Sequence, residues 1–152
     1  MLRVVLDTSV LVSNVLFPKG VPAQVFKAWR AHSYSLFTTP AIRAELDNTL
    51  AYPRIRRKYK ISDEELQETL ELIREHAFFV PGVADVSDSA LRDPDDRMIL
   101  STCIEARAHV LVSSDNDLLV LGEYRGTEIV TPRQFLDIFL DPDQDGLFAG
   151  TL

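Results

Sequence analysis

The chain is poor in cysteine, lysine and long apolar runs, and each shortage excludes something. A single cysteine, Cys103, rules out an internal disulfide framework and suits a reducing, cytoplasmic setting. No stretch is apolar for long enough to span a bilayer. The opening MLRVVLD lacks the apolar run and small-residue cleavage site of a signal peptide, so no membrane partner is expected. The glycine patterns GxGxxG and P-loop are missing. His32, His76 and His109 show no zinc spacing, and Cys103 falls mid-helix on an apolar face. Positive charge is also short. With 16 Lys+Arg against 23 Asp+Glu the net charge is −7, so overall charge does not attract a polyanion. Any nucleic-acid contact needs a local basic patch or bound cations.

What is present is enough for one folded unit: 152 residues, 46% of them hydrophobic. LRVVL (2–6) and HVLVSS (109–114) read as strands buried on both faces, with shorter strands at YSLFTT, FFV (78–80) and EIV. Helices are expected from Asp7 to Phe17, over AQVFKAWRAH, and after the cap Thr39-Pro40. Ser62 and Glu65 have capping-box spacing, and Asp93-Pro94 and Thr131-Pro132 with Gln134 repeat the start signal. Strands alternating with helices predict an α/β fold with a mainly parallel sheet covered on both faces. One domain is expected over 1–140, followed by a polar tail over 141–152. In that tail Asp141, Asp143, Asp145 and Gly146 imitate an EF-hand loop, but position twelve is Leu152, so the bidentate Glu is missing.

The chemistry lies in the acids. Asp7 ends the first strand and Asp115 follows HVLVSS, which places both at the carboxyl crest where open α/β sheets bind ligands. Asp96 opens a helix that feeds HVLVSS, and it reaches the crest only if that helix starts near the same edge. Glu45 stands roughly 60–100° from Ile42 and Leu46 on a helical wheel, at the border of the buried stripe. Singly, such acids cap helices or make Asx turns. Clustered carboxylates repel and lose hydration, and hard divalent cations compensate for both.

The stretches VVLDTSVLVS, TPAIRAEL, RDPDDRMIL, HVLVSSDNDLL and TPRQFL together resemble the PIN-domain family, in particular the toxin components of toxin–antitoxin systems, over about residues 2–140. The resemblance implies a Rossmann-like α/β/α sandwich and Mg²⁺- or Mn²⁺-dependent cleavage of single-stranded RNA. It carries an acidic quartet onto Asp7, Glu45, Asp96 and Asp115 as metal ligands and catalytic acids, with Asp93, Asp95 and Asp117 as weaker candidates that orient waters. Ser9 stands where many relatives have Asn, and Ser113-Ser114 where they have Thr-Gly or Thr-Arg. Both keep small polar groups able to hydrogen-bond a carboxylate, so activity is expected to survive. Expected partners are single-stranded RNA, a cognate antitoxin protein on the strength of the resemblance, and a second copy in a homo-oligomer. No cofactor beyond the metal is implied.

YPRIRRKYK puts Arg54, Arg56, Arg57, Lys58 and Lys60 within seven residues, flanked by Tyr52 and Tyr59. It reads either as an RNA-binding segment, or as a solvated interhelix loop with buried tyrosines, or as a dock for an acidic partner. Two rival functions stand beside the nuclease. An aspartyl phosphatase or receiver domain needs a second Asp at position 9, which is Ser9, and a late lysine, whereas the last is Lys60. A non-enzymatic RNA-binding or regulatory module of the same fold would be signalled by loss of one of the four acids, and none is lost.

Overall fold

A computed structural model describes residues 1–140 of the chain; the tail at 141–152, with its EF-hand-like spacing, lies outside the described residues. RVVL forms β1 (Arg3–Leu6), and Val4, Val5 and Leu6 are buried, as a strand covered on both faces requires. The chain continues through α1 (Thr8–Leu16), α2 (Val21–Arg30) and β2 (Ser35–Thr38). The expected caps then act in turn. Thr39 Oγ1 accepts from the Ile42 amide to open α3 (Pro40–Ala51), and Ser62 and Glu65 close a reciprocal capping box on α5 (Asp63–His76). After β3 (Phe78–Phe79) and a long loop, Asp93 caps α6 (Pro94–Ala106), whose Ile99, Cys103 and Ala106 are buried as the periodicity predicts. β4 (Val110–Val112) and α7 (Asn116–Leu119) follow. β5 (Glu123–Tyr124), β6 (Thr127–Val130) and α8 (Pro132–Phe139), with its Thr131–Gln134 capping box, complete the described chain.

The strands form one six-stranded sheet in the order β3-β2-β1-β4-β6-β5. All neighbours pair in parallel except β5 with β6. Helices α1, α2, α3, α5 and α8 contact one another as one layer, and α6 packs on β1 and β2 as the other, giving a single α/β/α domain. From β1 the chain winds outward to β2 and β3, then returns to place β4 on β1's other side. The order therefore reverses between β1 and β4, and a crevice opens above that point at the carboxyl ends of the strands.

Two elements correct the sequence reading. The expected EIV strand is present within β6, but β5, which the sequence reading lacks, joins it in an antiparallel hairpin turned by Arg125 and Gly126, both with positive φ (49° and 89°). The basic segment is a helix, α4 (Pro53–Tyr59), and not an interhelix loop; Tyr52 is exposed and Tyr59 only partly buried. No helix among the described residues is long and apolar enough to cross a membrane.

Candidate metal centre

Six carboxylates line one open cleft of about 530 Å³ above the β1–β4 crevice: Asp7, Glu45, Asp93, Asp95, Asp96 and Asp115. All four acids of the expected quartet are therefore in one place. Asp7 leaves β1 one residue past the ladder, its amide donating to Val112 O at 2.9 Å. Asp115 follows β4 at the start of α7. α3 brings Glu45 over the crest, and α6 begins at the crest, which is the condition Asp96 needed.

Asp7 occupies the N-cap position of α1, yet its carboxylate caps nothing. Oδ2 instead accepts from Ser113 Oγ at 2.7 Å and from Ser9 Oγ at 3.3 Å. Two of the three serines noted in the sequence, Ser9 and Ser113, thus hydrogen-bond the first acid. Ser113 Oγ also accepts from the Asp115 amide at 3.0 Å, so one buried hydroxyl sets two acids on neighbouring strands. Burial chiefly raises the Asp7 carboxyl above its ordinary range; the Ser113 hydrogen bond opposes this and the Asp115 charge adds to it. Glu45 accepts from Thr8 Oγ1 at 3.4 Å and is raised by burial first, then by the charges of Asp95 and Asp7.

Asp96 is the most perturbed. It is buried in the first turn of α6, and burial, a hydrogen bond with Asp115 and the surrounding negative charge push it up to about 7. Asp93, not Asp96, is the residue that caps the helix, accepting from the Asp95 amide at 2.9 Å. Asp115 likewise caps α7 by accepting from the Asp117 amide at 2.9 Å, and still turns its carboxylate to the cleft.

Among the described residues none of these acids enters an ion pair, and no Lys, Arg or His lines the cleft. One carboxylate oxygen each from Asp96, Asp115 and Asp117 lies within 4.8 Å of the others. Opposed oxygens around a Mg²⁺- to Ca²⁺-sized ion stand roughly 4–5 Å apart, so three hard, anionic donors at this spacing fit a divalent cation. Asp117, which the sequence suggested only for orienting water, is in that group. Its signal was its place two residues beyond Asp115 in the capping turn, where its amide donates to Asp115 Oδ1.

Ser113→Ala removes the hydroxyl that joins Asp7 to Asp115 without touching a carboxylate. It is expected to weaken Mn²⁺ binding about 10- to 100-fold, as loss of partners that orient metal ligands commonly does. Calorimetric titration measures this, and an unchanged affinity would reduce Ser113 to a turn residue.

Comparison with known proteins agrees with this geometry. A sequence profile described as PIN domain matches residues 3–117. The chain is 22% identical over 146 residues to an uncharacterized protein of Methanocaldococcus jannaschii, covering 91% of this chain and 92% of the relative. Its fold is similar to a chain in the crystal structure of VapBC2 from Rickettsia felis bound to a DNA fragment from their promoter. There the TM-score is 0.56 at 13% identity, over 84% of this chain and 97% of that one.

Proposed function

This chain belongs to the PIN-domain family, and on that premise we propose that it is a metal-dependent endoribonuclease that cleaves single-stranded RNA. One observation carries the reading: six carboxylates without a counter-charge converge at the point where strand order reverses, and oxygens of two of them, Asp96 and Asp115, stand with one of the neighbouring Asp117 at the spacing of a divalent ion's ligands. Asp96, Asp115 and Asp117 would hold the ion, with Asp7 beside them on the β1 side. Bound Mg²⁺ or Mn²⁺ supplies a water of lowered pKa and charge stabilisation at the phosphate. The chain's own part is to fix and orient. Ser113 and Ser9 hold the Asp7 carboxylate in one direction. Glu45, on the facing helix, keeps a carboxyl of raised proton affinity across the cleft, where it would orient an attacking water.

We further infer that the enzyme is the toxin of a toxin–antitoxin pair, supported by the fold it shares with a chain of the Rickettsia felis complex. The ribonuclease reading is tested by incubating pooled single-stranded RNA with the protein and Mn²⁺, Mg²⁺ or excess chelator, and sequencing the new ends. Cleavage that needs the ion is expected. Intact RNA with both ions, or equal cleavage in chelator, would overturn the reading.

A further inference from the structure

We propose that α4 and one exposed aromatic side chain at each of its ends, Tyr52 and Phe17, form a platform for single-stranded RNA that leads into the acidic cleft. The choice of ligand rests on the ribonuclease reading above. α4 has no fully buried residue. Ile55 and Tyr59, four positions apart, pack against the core, while Arg54, Arg57 and Lys58, at i, i+3 and i+4, share a separate face. Five of the chain's 16 basic residues fall at positions 54–60. Arg54, Arg57 and Lys60 enter no ion pair among the described residues, and Lys58 lies over the Tyr59 ring at 5.3 Å from its centroid. Arg56 is committed elsewhere, donating to Ile61 O at 3.4 Å and pairing with Asp63 to tie α4 to α5.

Two helices lead from the cleft to the two ends of α4. Ser13 of α1 lines the cleft, and one turn on Phe17, 48% exposed, meets Tyr59 edge-on with ring centroids 5.5 Å apart. Glu45 and Thr49 of α3 line the cleft, and Tyr52, 55% exposed, follows where the chain turns into α4. From Glu45 to Tyr52 the helix advances about 10 Å.

The cleft repels a polyanion, so substrate must be held by cations beside it and not within it. Exposed tyrosine and phenylalanine faces suit unpaired bases, which stack on aromatics irrespective of sequence, whereas a duplex keeps its bases stacked on each other. The exposed aromatic side chains favour RNA over an acidic peptide, which would meet the cations but has no bases to stack on Tyr52 and Phe17.

The test is fluorescence anisotropy in chelator with a labelled single strand of about twelve ribonucleotides, within the usual site range. Arg54→Gln, Arg57→Gln and Lys58→Gln together should weaken binding at least about tenfold. The salt slope should fall by about 2, because each phosphate left without its cation removes about 0.7. Tyr52→Ala should weaken binding about fivefold or more and leave the slope unchanged. Unchanged affinity and slope in the triple variant would overturn the platform. So would polyglutamate binding as tightly as RNA and failing in the same variant, which would assign the strip to an acidic protein. If the triple variant binds normally while wild type cleaves RNA with Mn²⁺, the platform fails and the nuclease stands. A chain that binds RNA through α4 but cleaves nothing reverses that outcome.

Discussion

Asp96→Asn is expected to abolish RNA cleavage with the fold unchanged, and Asp7→Asn to do the same from the β1 side of the cleft. Each removes one negative charge and keeps the shape of the side chain. At position 96 the loss falls on a carboxylate whose oxygen stands with those of Asp115 and Asp117. At position 7 it falls on the carboxylate held by Ser113 and Ser9. An ion at the reacting phosphate contributes several kcal/mol of charge stabilisation. Its loss corresponds to a fall in single-turnover rate on the order of 10³-fold or more. Rates measured at saturating Mn²⁺, with circular dichroism to verify the fold, decide the matter. Activity persisting in both variants would discard the metal-nuclease reading.

The second large effect is thermal. Saturating Mn²⁺ is expected to raise the melting temperature, because the assembled acids bind the ion and the unfolded chain hardly does. At a hundredfold excess over Kd, linkage contributes about 2.7 kcal/mol. For a chain of this size that is about 5–10 °C. Without metal, stability depends on pH. Asp96 holds its proton up to about 7 in the folded state and only to about 4 when unfolded. Between those values the folded state binds more protons, so metal-free stability falls as pH rises and the penalty is complete above about 7. Asp96→Asn lacks this titration and should melt above wild type at pH 8 without metal, yet gain less from Mn²⁺. The structure simplifies that comparison, since Asp93 makes the capping bond and position 96 gives up only its helix-dipole term, typically about 0.3–1 kcal/mol. Equal Mn²⁺ responses in the two proteins would leave Asp96 a helix-start acid.

The parts of this fold legible in the sequence were those with a local cause. β1 and β4 are unbroken apolar runs, and Thr39-Pro40, Ser62–Glu65, Asp93-Pro94 and Thr131–Gln134 satisfy helix-end amides from within four residues. Those signals also fixed the crest and hence Asp7 and Asp115, while Glu45 was placed by its helical phase at the edge of a buried stripe. The fourth, Asp96, needed to know where α6 begins in space, which is a tertiary fact. α4 was missed because its apolar contribution is two residues, Ile55 and Tyr59, among basic neighbours, too few to show a period. The β5–β6 hairpin was missed because Arg-Gly is a weaker turn signal than Asn-Gly or Asp-Gly, and β5 is only two residues long. The loop into α6 gave no sign that the carboxylate of Glu105, more than twenty residues on, would accept from the Gly82 and Val83 amides.

The way the acids are hung on the sheet also decides which changes of chain length the centre tolerates. Asp7 and Ser113 sit one residue beyond the paired stretches of β1 and β4, their amides still bonded to Val112 O and Val130 O. Side chains on a strand alternate with period two, so one residue inserted in either strand turns its acid-bearing end to the other face of the sheet. Asp93 and Asp96 arrive instead through residues 80–93, a loop with no ladder to keep count. Insertions beyond Val86, which is buried, and clear of the Gly82 and Val83 amides held by Glu105, lengthen the loop without rotating the helix that carries them. The centre is therefore indexed to the residue on its strand side and free to drift in length on its helix side.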